Sequence, residues 1–304
     1  MFDPSAAAGA EPPRLDDSPG LVLRARFVDL SDVRLHVVEA GPESGPPVLL
    51  LHGFPEFWWG WRRQIPALAA AGLRVIAPDQ RGYHLSGKPR GVRAYGLDRV
   101  TEDARDLLDA LGIARAAVVA HDWGGMVGWW LGHRFPERLD RLAILNSPHP
   151  AAFRRALRTS REQRRRSRYI FYFLWPILPE RKLAAGGFRP LRKVFKVSSR
   201  PGTFPAAELD RYAAAAALPG ALTGMLNWYR AALWAPPRRP AQRTIVAPVR
   251  IVWGLEDVAL GGELVAPSAA RCERVEIVRL AGAGHWVQHE AADEVNRQLL
   301  DFLA

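Results

Sequence analysis

The chain of 304 residues contains a single cysteine, Cys272. One thiol excludes both an intramolecular disulfide and a thiolate metal cluster, and it points to a reducing, cytoplasmic setting. Long apolar runs are missing as well. Crossing a bilayer takes about 20 apolar residues, and the main aromatic stretch, Tyr169 to Leu178, is shorter than that and contains Pro176. Residues 1–20 lack the basic segment and apolar run of a secretory signal, and their Ala, Pro, Asp and Gly content reads as a disordered lead-in. No G-x-S-x-G occurs, which argues against a serine esterase or protease. No zinc-finger, RRM or basic-zipper pattern accompanies the formal net charge of +11, so neither nucleic acid nor a membrane is expected as a partner. Much of the excess lies in residues 154–168, where Glu162 is the one acid among many arginines. Arg154, Arg158, Arg161, Arg165 and Arg168 recur three or four apart, so a single helix would carry them on one solvated face.

What is present is ample core-forming sequence, with hydrophobic residues at 48%. Short apolar runs at Val48–Leu51, Leu73–Ala77, Ala116–Ala120, Leu142–Leu145, Val249–Trp253 and Val275–Leu280 read as strands. Helical patterns alternate with them, as in Leu97 to Leu111 and in the final helix from about Ala291 to Leu303. This alternation predicts an α/β fold whose mostly parallel sheet is covered by helices on both faces. Val22–Asp29 and Val33–Ala40 look like an antiparallel pair at the sheet edge. Between Ser147 and Pro240 the alternation stops, and arginine, alanine and aromatics dominate. The predicted organisation is therefore a core over 21–147, a helical cap over 148–240 inserted between the sixth and seventh strands, and a second core segment over 241–304.

The chemistry centres on Ala120-His121-Asp122-Trp123-Gly124-Gly125, where a strand passes directly into a helix. A turn this sharp tolerates only small residues around its exposed tip, and that tip is the nucleophile position of the α/β-hydrolase elbow. Here it holds Asp122. His285, preceded by glycines in Gly282-Ala283-Gly284-His285, follows the last strand, with His289 as a competitor four residues on. An acid after the seventh strand, Asp257, with its neighbour Glu256 as the alternative, would hold the imidazole tautomer. The order nucleophile, acid, histidine is the order this fold uses. Backbone N–H groups of Phe54 and Trp123 are expected to form an oxyanion hole. His52, Pro55, Trp123, Trp175 and Trp286 are expected to line the substrate pocket. No metal and no organic cofactor are called for.

His52-Gly-Phe-Pro-Glu-Phe-Trp-Trp-Gly-Trp61, Ile65-Pro66-Ala-Leu, Arg81-Gly82-Tyr83 and His121-Asp-Trp-Gly-Gly125 together resemble the epoxide hydrolases of the α/β-hydrolase fold, over nearly the whole chain after Val22. In the predicted cap, Tyr169-Ile-Phe-Tyr172-Phe-Leu-Trp-Pro176 and Asn227-Trp228-Tyr229-Arg230 are similar to the family segments that carry two catalytic tyrosines. The resemblance implies that Tyr169 and Tyr229 bind and protonate an epoxide oxygen, and that the partner is a small epoxide, apolar or aromatic given Trp58, Trp59 and Trp61. Two features depart from the family pattern. His84 stands where small or polar residues are frequent, and Ala120 replaces a commoner glycine. A dehalogenase would use the same Asp, His and acid. Haloalkane dehalogenases, however, usually show Asn at the place of Phe54, and fluoroacetate dehalogenases show Arg at that of Trp123. A non-catalytic ligand receptor on the same scaffold is the third reading.

Overall fold

A computed structural model of the chain describes residues 15, 20–238 and 243–304. The expected lead-in over 1–20 falls almost wholly outside the described residues, as does Pro240. Eight strands form one sheet: β1 (Arg24–Asp29), β2 (Arg34–Ala40), β3 (Pro47–Leu51), β4 (Arg74–Pro78), β5 (Ala116–His121), β6 (Leu139–Leu145), β7 (Val249–Gly254) and β8 (Val275–Leu280). Their order is β1-β2-β4-β3-β5-β6-β7-β8. The β1–β2 and β2–β4 pairs are antiparallel and the other pairs are parallel. β5 is buried along its whole length, the pattern expected of a central parallel strand with helices on both faces.

Helices α1 (Gln64–Ala70), α2 (Leu97–Ala110) and α3 (Asp122–Arg134) alternate with the first strands. In α2, Val100, Ala104, Leu107 and Leu108 turn inward, following the period of 3.6 residues. Its Asp103 takes two hydrogen bonds from the buried Arg81, which also reaches Asp32, so α2 is tied to the turn after β4.

Among the described residues, six helices intervene between β6 and β7: α4 (Pro150–Thr159), α5 (Arg161–Arg166), α6 (Arg168–Phe173), α7 (Leu178–Ser198), α8 (Ala206–Ala217) and α9 (Ala221–Trp234). The arginine-rich segment does not form the single helix that its spacing suggested. Ser160 accepts a hydrogen bond from the Gln163 N–H and starts a new helix, and Ser167 begins a third. A capping hydroxyl satisfies the orphan N–H groups of a fresh helix start, and this breaks the register between Arg158 and Arg161. α7 is itself interrupted at Ala185–Phe188, around Gly186 and Gly187. The insert lies across the strand ends. Trp228 donates to the Arg81 carbonyl, Tyr229 meets Phe54 edge-on at 5.2 Å, and Phe195 packs on Trp286 at 4.9 Å. α10 (Val265–Ala269), α11 (Val287–Glu290) and α12 (Ala292–Leu303) complete the chain. No helix among the described residues is long and apolar enough to cross a membrane.

Candidate active site

Asp122 is the first residue of α3 and sits at φ 49°, in the left-handed region that non-glycine residues rarely adopt. Sterics force this sharp turn. A Cβ on Gly124 would lie 2.1 Å from the Leu51 carbonyl oxygen, and one on Gly53 would lie 2.5 Å from the Asp122 Cβ. Only glycine at both positions lets the elbow close against the end of β3. Ser147 then secures the elbow by donating its hydroxyl to the Asp122 carbonyl at 2.6 Å.

The Asp122 carboxylate has two differently placed oxygens. Oδ1 accepts the Phe54 backbone N–H at 2.9 Å, and Oδ2 lies 3.7 Å from His285 Nε2. On its other side, His285 donates Nδ1–H to Asp257 Oδ2 at 2.8 Å. Asp257 is held from all directions. Its Oδ1 accepts the N–H groups of Ala259 and Leu260, and its Oδ2 also accepts from Asn146 Nδ2 at 2.8 Å. Of the two candidate acids, Asp257 faces the histidine, while the adjacent Glu256 points to solvent. His289 is taken up elsewhere: it hydrogen-bonds Glu56 at 2.7 Å and Arg62 at 3.1 Å.

Burial alone would push the His285 pKa down. The charge of Asp257, its hydrogen bond and the nearby Asp122 outweigh that and raise it to about 9. The imidazole is thus an imidazolium at neutral pH, flanked by two carboxylates. Linkage gives a stability signature. The folded value lies above the ordinary 6.5, so this pairing stabilises the fold fully below about pH 6.5 and is lost as pH rises through about 9. The difference in melting temperature between wild type and His285→Gln should therefore shrink between pH 7 and pH 10. Thermal melts across that range check it, and a constant gap would contradict the assigned charge state.

Two phenols from the insert come near enough to Asp122 to feel its charge. Tyr169 lies on α6 and Tyr229 on α9, with ring centroids 6.2 Å apart. The Trp123 ring meets Tyr229 edge-on at 5.0 Å. Desolvation of the hydroxyls comes first, followed by the charge of Asp122 for Tyr169 and by Tyr169 and then Asp122 for Tyr229; together they raise both phenol pKa values well above the usual range, so both hydroxyls keep their protons. Phe54, Phe173 and Trp123 form the aromatic wall around them.

Three residues expected to line the pocket do not do so. His52 is fully buried, with Nδ1 against the Gly53 carbonyl and Nε2 accepting the Gln80 N–H, so its ring braces the backbone. Trp286 is also buried, and its indole N–H donates to Ser198. Trp175 is 61% exposed, donates its N–H to the Tyr172 carbonyl and accepts Arg230 at its own carbonyl. Each stands beside or near a functional residue in sequence, but neighbouring side chains leave the backbone in different directions. Pro55, joined to Phe54 by a cis peptide bond, is buried next to the N–H that holds Asp122.

Other residues of the site escaped the sequence reading. Asn146, at φ 38°, bonds Gly254 through both its carbonyl oxygen and its amide, and it orients Asp257. Its signal was a lone Asn ending an apolar strand, a residue type that tolerates this conformation. Glu56 is a buried carboxylate that accepts from Tyr212, His289 and Gln288. Gln288 in turn donates to His121 Nδ1, and His121 Nε2–H donates to the His285 carbonyl. This network fixes the backbone of His285 from behind. An acid inside an aromatic block has to find buried partners, which was the readable hint.

Together these features define the class. An eight-stranded sheet, a nucleophile elbow after β5, an acid after β7 and a histidine after β8 are those of an α/β hydrolase, and the alpha/beta hydrolase fold family model matches residues 46–292. The AB hydrolase superfamily protein YfhM of Bacillus subtilis is 40% identical, with 92% of this chain and 98% of that protein aligned. Epoxide hydrolase A of Mycobacterium tuberculosis is 36% identical over 91% of this chain and 96% of its own. Among solved structures, a mutant of a Bacillus megaterium epoxide hydrolase superposes with a TM-score of 0.84 at 31% identity, covering 91% of this chain and 99% of the other. The chain belongs to the epoxide hydrolases of the α/β-hydrolase fold, hydrolases that act on ether bonds.

Proposed function

We propose that the protein converts an apolar or aromatic epoxide and water to a vicinal diol through a covalent ester on Asp122. The observation that carries this reading is the placement of two protonated phenols, Tyr169 and Tyr229, opposite a carboxylate whose Oδ1 is anchored and whose Oδ2 is not hydrogen-bonded to the backbone. Opening an epoxide needs a nucleophile on carbon and a proton donor on oxygen at the same time.

In the first step Asp122 Oδ2 bonds to an epoxide carbon, the carbon–oxygen bond breaks, and the oxygen takes a phenol proton. The His285 imidazolium supplies the proton lost from the tyrosine pair, so the step ends with an ester, neutral tyrosines and a neutral imidazole. Loss of the Asp122 charge removes one of the causes that raised the His285 pKa, which favours its conversion to a base. In the second step His285 takes a proton from water and hydroxide adds to the ester carbonyl carbon. The Phe54 and Trp123 N–H groups stabilise the oxyanion, and collapse releases the diol with one oxygen from Asp122. The Asp122 carboxylate and the His285 imidazolium are restored.

Single turnover in heavy-oxygen water tests this directly. The label should enter the Asp122 carboxylate while the first diol stays unlabelled, and Asp122→Ala should form no diol. Label appearing in the diol of the first turnover would mean direct attack by water and would remove the ester. A dehalogenase reading predicts halide release from haloalkanes, which the same preparations measure.

A further inference from the structure

The reaction makes no use of three side chains that meet at the end of β4. Asp79 follows that strand and is fully buried. His36 Nδ1, from β2, and His84 Nδ1, from the turn beyond Asp79, each lie 2.8 Å from Asp79 Oδ2. These three ligand atoms lie within 4.8 Å of one another. Two other buried carboxylates, Asp103 and Glu39, are matched by arginine, Asp103 by Arg81 and Glu39 by Arg26 and Arg74, while Glu56 and Asp257 meet histidines that belong to the site or its support. Among the described residues, Asp79 has no arginine or lysine within ion-pair distance. Two imidazoles converge on it instead. Lys88, the nearby cation, spends its ammonium on the carbonyls of His84 and Ser86.

Each of the three is braced from behind. Asp79 Oδ1 accepts the Trp58 N–H at 3.0 Å, so Oδ2 alone faces the histidines. The backbone N–H of His36 donates to Ser86 Oγ, whose hydroxyl donates to the Asp79 carbonyl, and its ring packs on Phe27 at 5.4 Å. His84 packs on Phe57 with ring centroids 4.3 Å apart. It is held at φ 39°, a conformation in which glycine or asparagine would rest more easily. Backbone strain of this kind at a side chain that joins a buried cluster marks a placed residue.

We propose that His36, Asp79 and His84 bind a divalent cation of the zinc class, with both Nδ1 atoms and Asp79 Oδ2 as ligands. Imidazole and carboxylate suit such an ion, and its usual bond lengths of about 2.0–2.2 Å in a tetrahedron set ligand atoms roughly 3.3 Å apart. The 2.8 Å contacts therefore need to open by about 0.5 Å, a side-chain adjustment. The His84 side chain is 20% exposed, which leaves a path for the ion and room for water as the fourth ligand. Hydrogen bonds already orient the carboxylate, as ligand sets generally require. The site is a brace and takes no part in the ester chemistry. It would join β2, the turn after β4 and, through Trp58 on Asp79 and Gln80 on His52, the segment that carries the Phe54 N–H.

The test uses the full, tag-free chain freed of metal by chelation, titrated with Zn²⁺ by calorimetry and with Co²⁺ by visible absorption. Wild type should take up one ion per chain, show the intense d–d bands of a tetrahedral Co²⁺ site, and melt several degrees higher with Zn²⁺. H84G and H84N both accept the backbone angle and remove one ligand. Each should lose the bands and the thermal shift while keeping the diol-forming rate of wild type. No uptake by wild type, or equal uptake by wild type and either variant, overturns the proposal.

Discussion

In His285→Gln, turnover should fall by roughly 10²–10⁴-fold, the usual worth of a general base, while Asp122 still becomes alkylated. The imidazole is needed twice, as the source of the proton that balances ring opening and as the base for water, but the phenols themselves carry the proton that meets the epoxide oxygen. The first requirement can be met from solvent, slowly, once a tyrosine has been deprotonated. The second cannot, because His285 Nε2 is the basic atom that lies beside Asp122, at 3.7 Å. Intact mass of the variant after incubation with a reactive epoxide should show an increase equal to one substrate. Peptide mapping should place it on Asp122. A variant that is inactive and carries no adduct with any substrate tested would show that ring opening cannot proceed without His285, against the assigned division of its two roles.

Removing both phenols should nearly abolish alkylation, whereas either change alone should slow it less. Tyr169 and Tyr229 stand with ring centroids 6.2 Å apart, and in the proposed step both donate to the developing alkoxide, so Tyr169→Phe leaves Tyr229 as donor and the reverse. General-acid assistance is worth ~10²–10⁴-fold, and the double variant should lose about that much in the pre-steady-state rate of ester formation. The melting temperature should change little, because phenylalanine retains the ring contacts with Phe173 and Phe54. A halide leaves without a proton, so a dehalogenase reaction on the same carboxylate would be indifferent to these changes. If the double variant alkylates at the wild-type rate, the tyrosines are packing residues and the proposed opening step fails.

The parts of this site that were legible in the sequence are those where sterics or chain order leave a local mark. The elbow is one: the 2.1 Å approach of a Gly124 Cβ to Leu51 admits no side chain, so the glycine must be visible. The order of Asp122, an acid and His285 is another, since the parallel sheet brings the ends of β5, β7 and β8 to one edge. Choosing Asp257 over Glu256 depended on which way two adjacent acids turn after β7, and two neighbours carry no periodicity. The arginine run failed for a related reason. A spacing of three or four describes one continuous helix, and it cannot register that Ser160 and Ser167 restart the backbone. His52 and Trp286 stand beside Gly53 and His285 in the chain, yet their rings serve the interior. Asn146 and Glu56 act through partners more than 100 residues away in the chain, which a linear pattern does not display.

The seam where the insert leaves the sheet has a consequence for how this enzyme could diversify. Asn146 and Ser147, the last residues before it, bind Gly254, Asp257 and the Asp122 carbonyl, so the stump is riveted into the sheet before α4 begins. The two halves of the proposed reaction thereby have separate owners. Ester hydrolysis belongs to residues carried on the strands, and ring opening belongs to phenols carried on α6 and α9. A chimera that exchanges residues 150–234 for another helical cassette would inherit a finished hydrolytic half and would choose its electrophile anew.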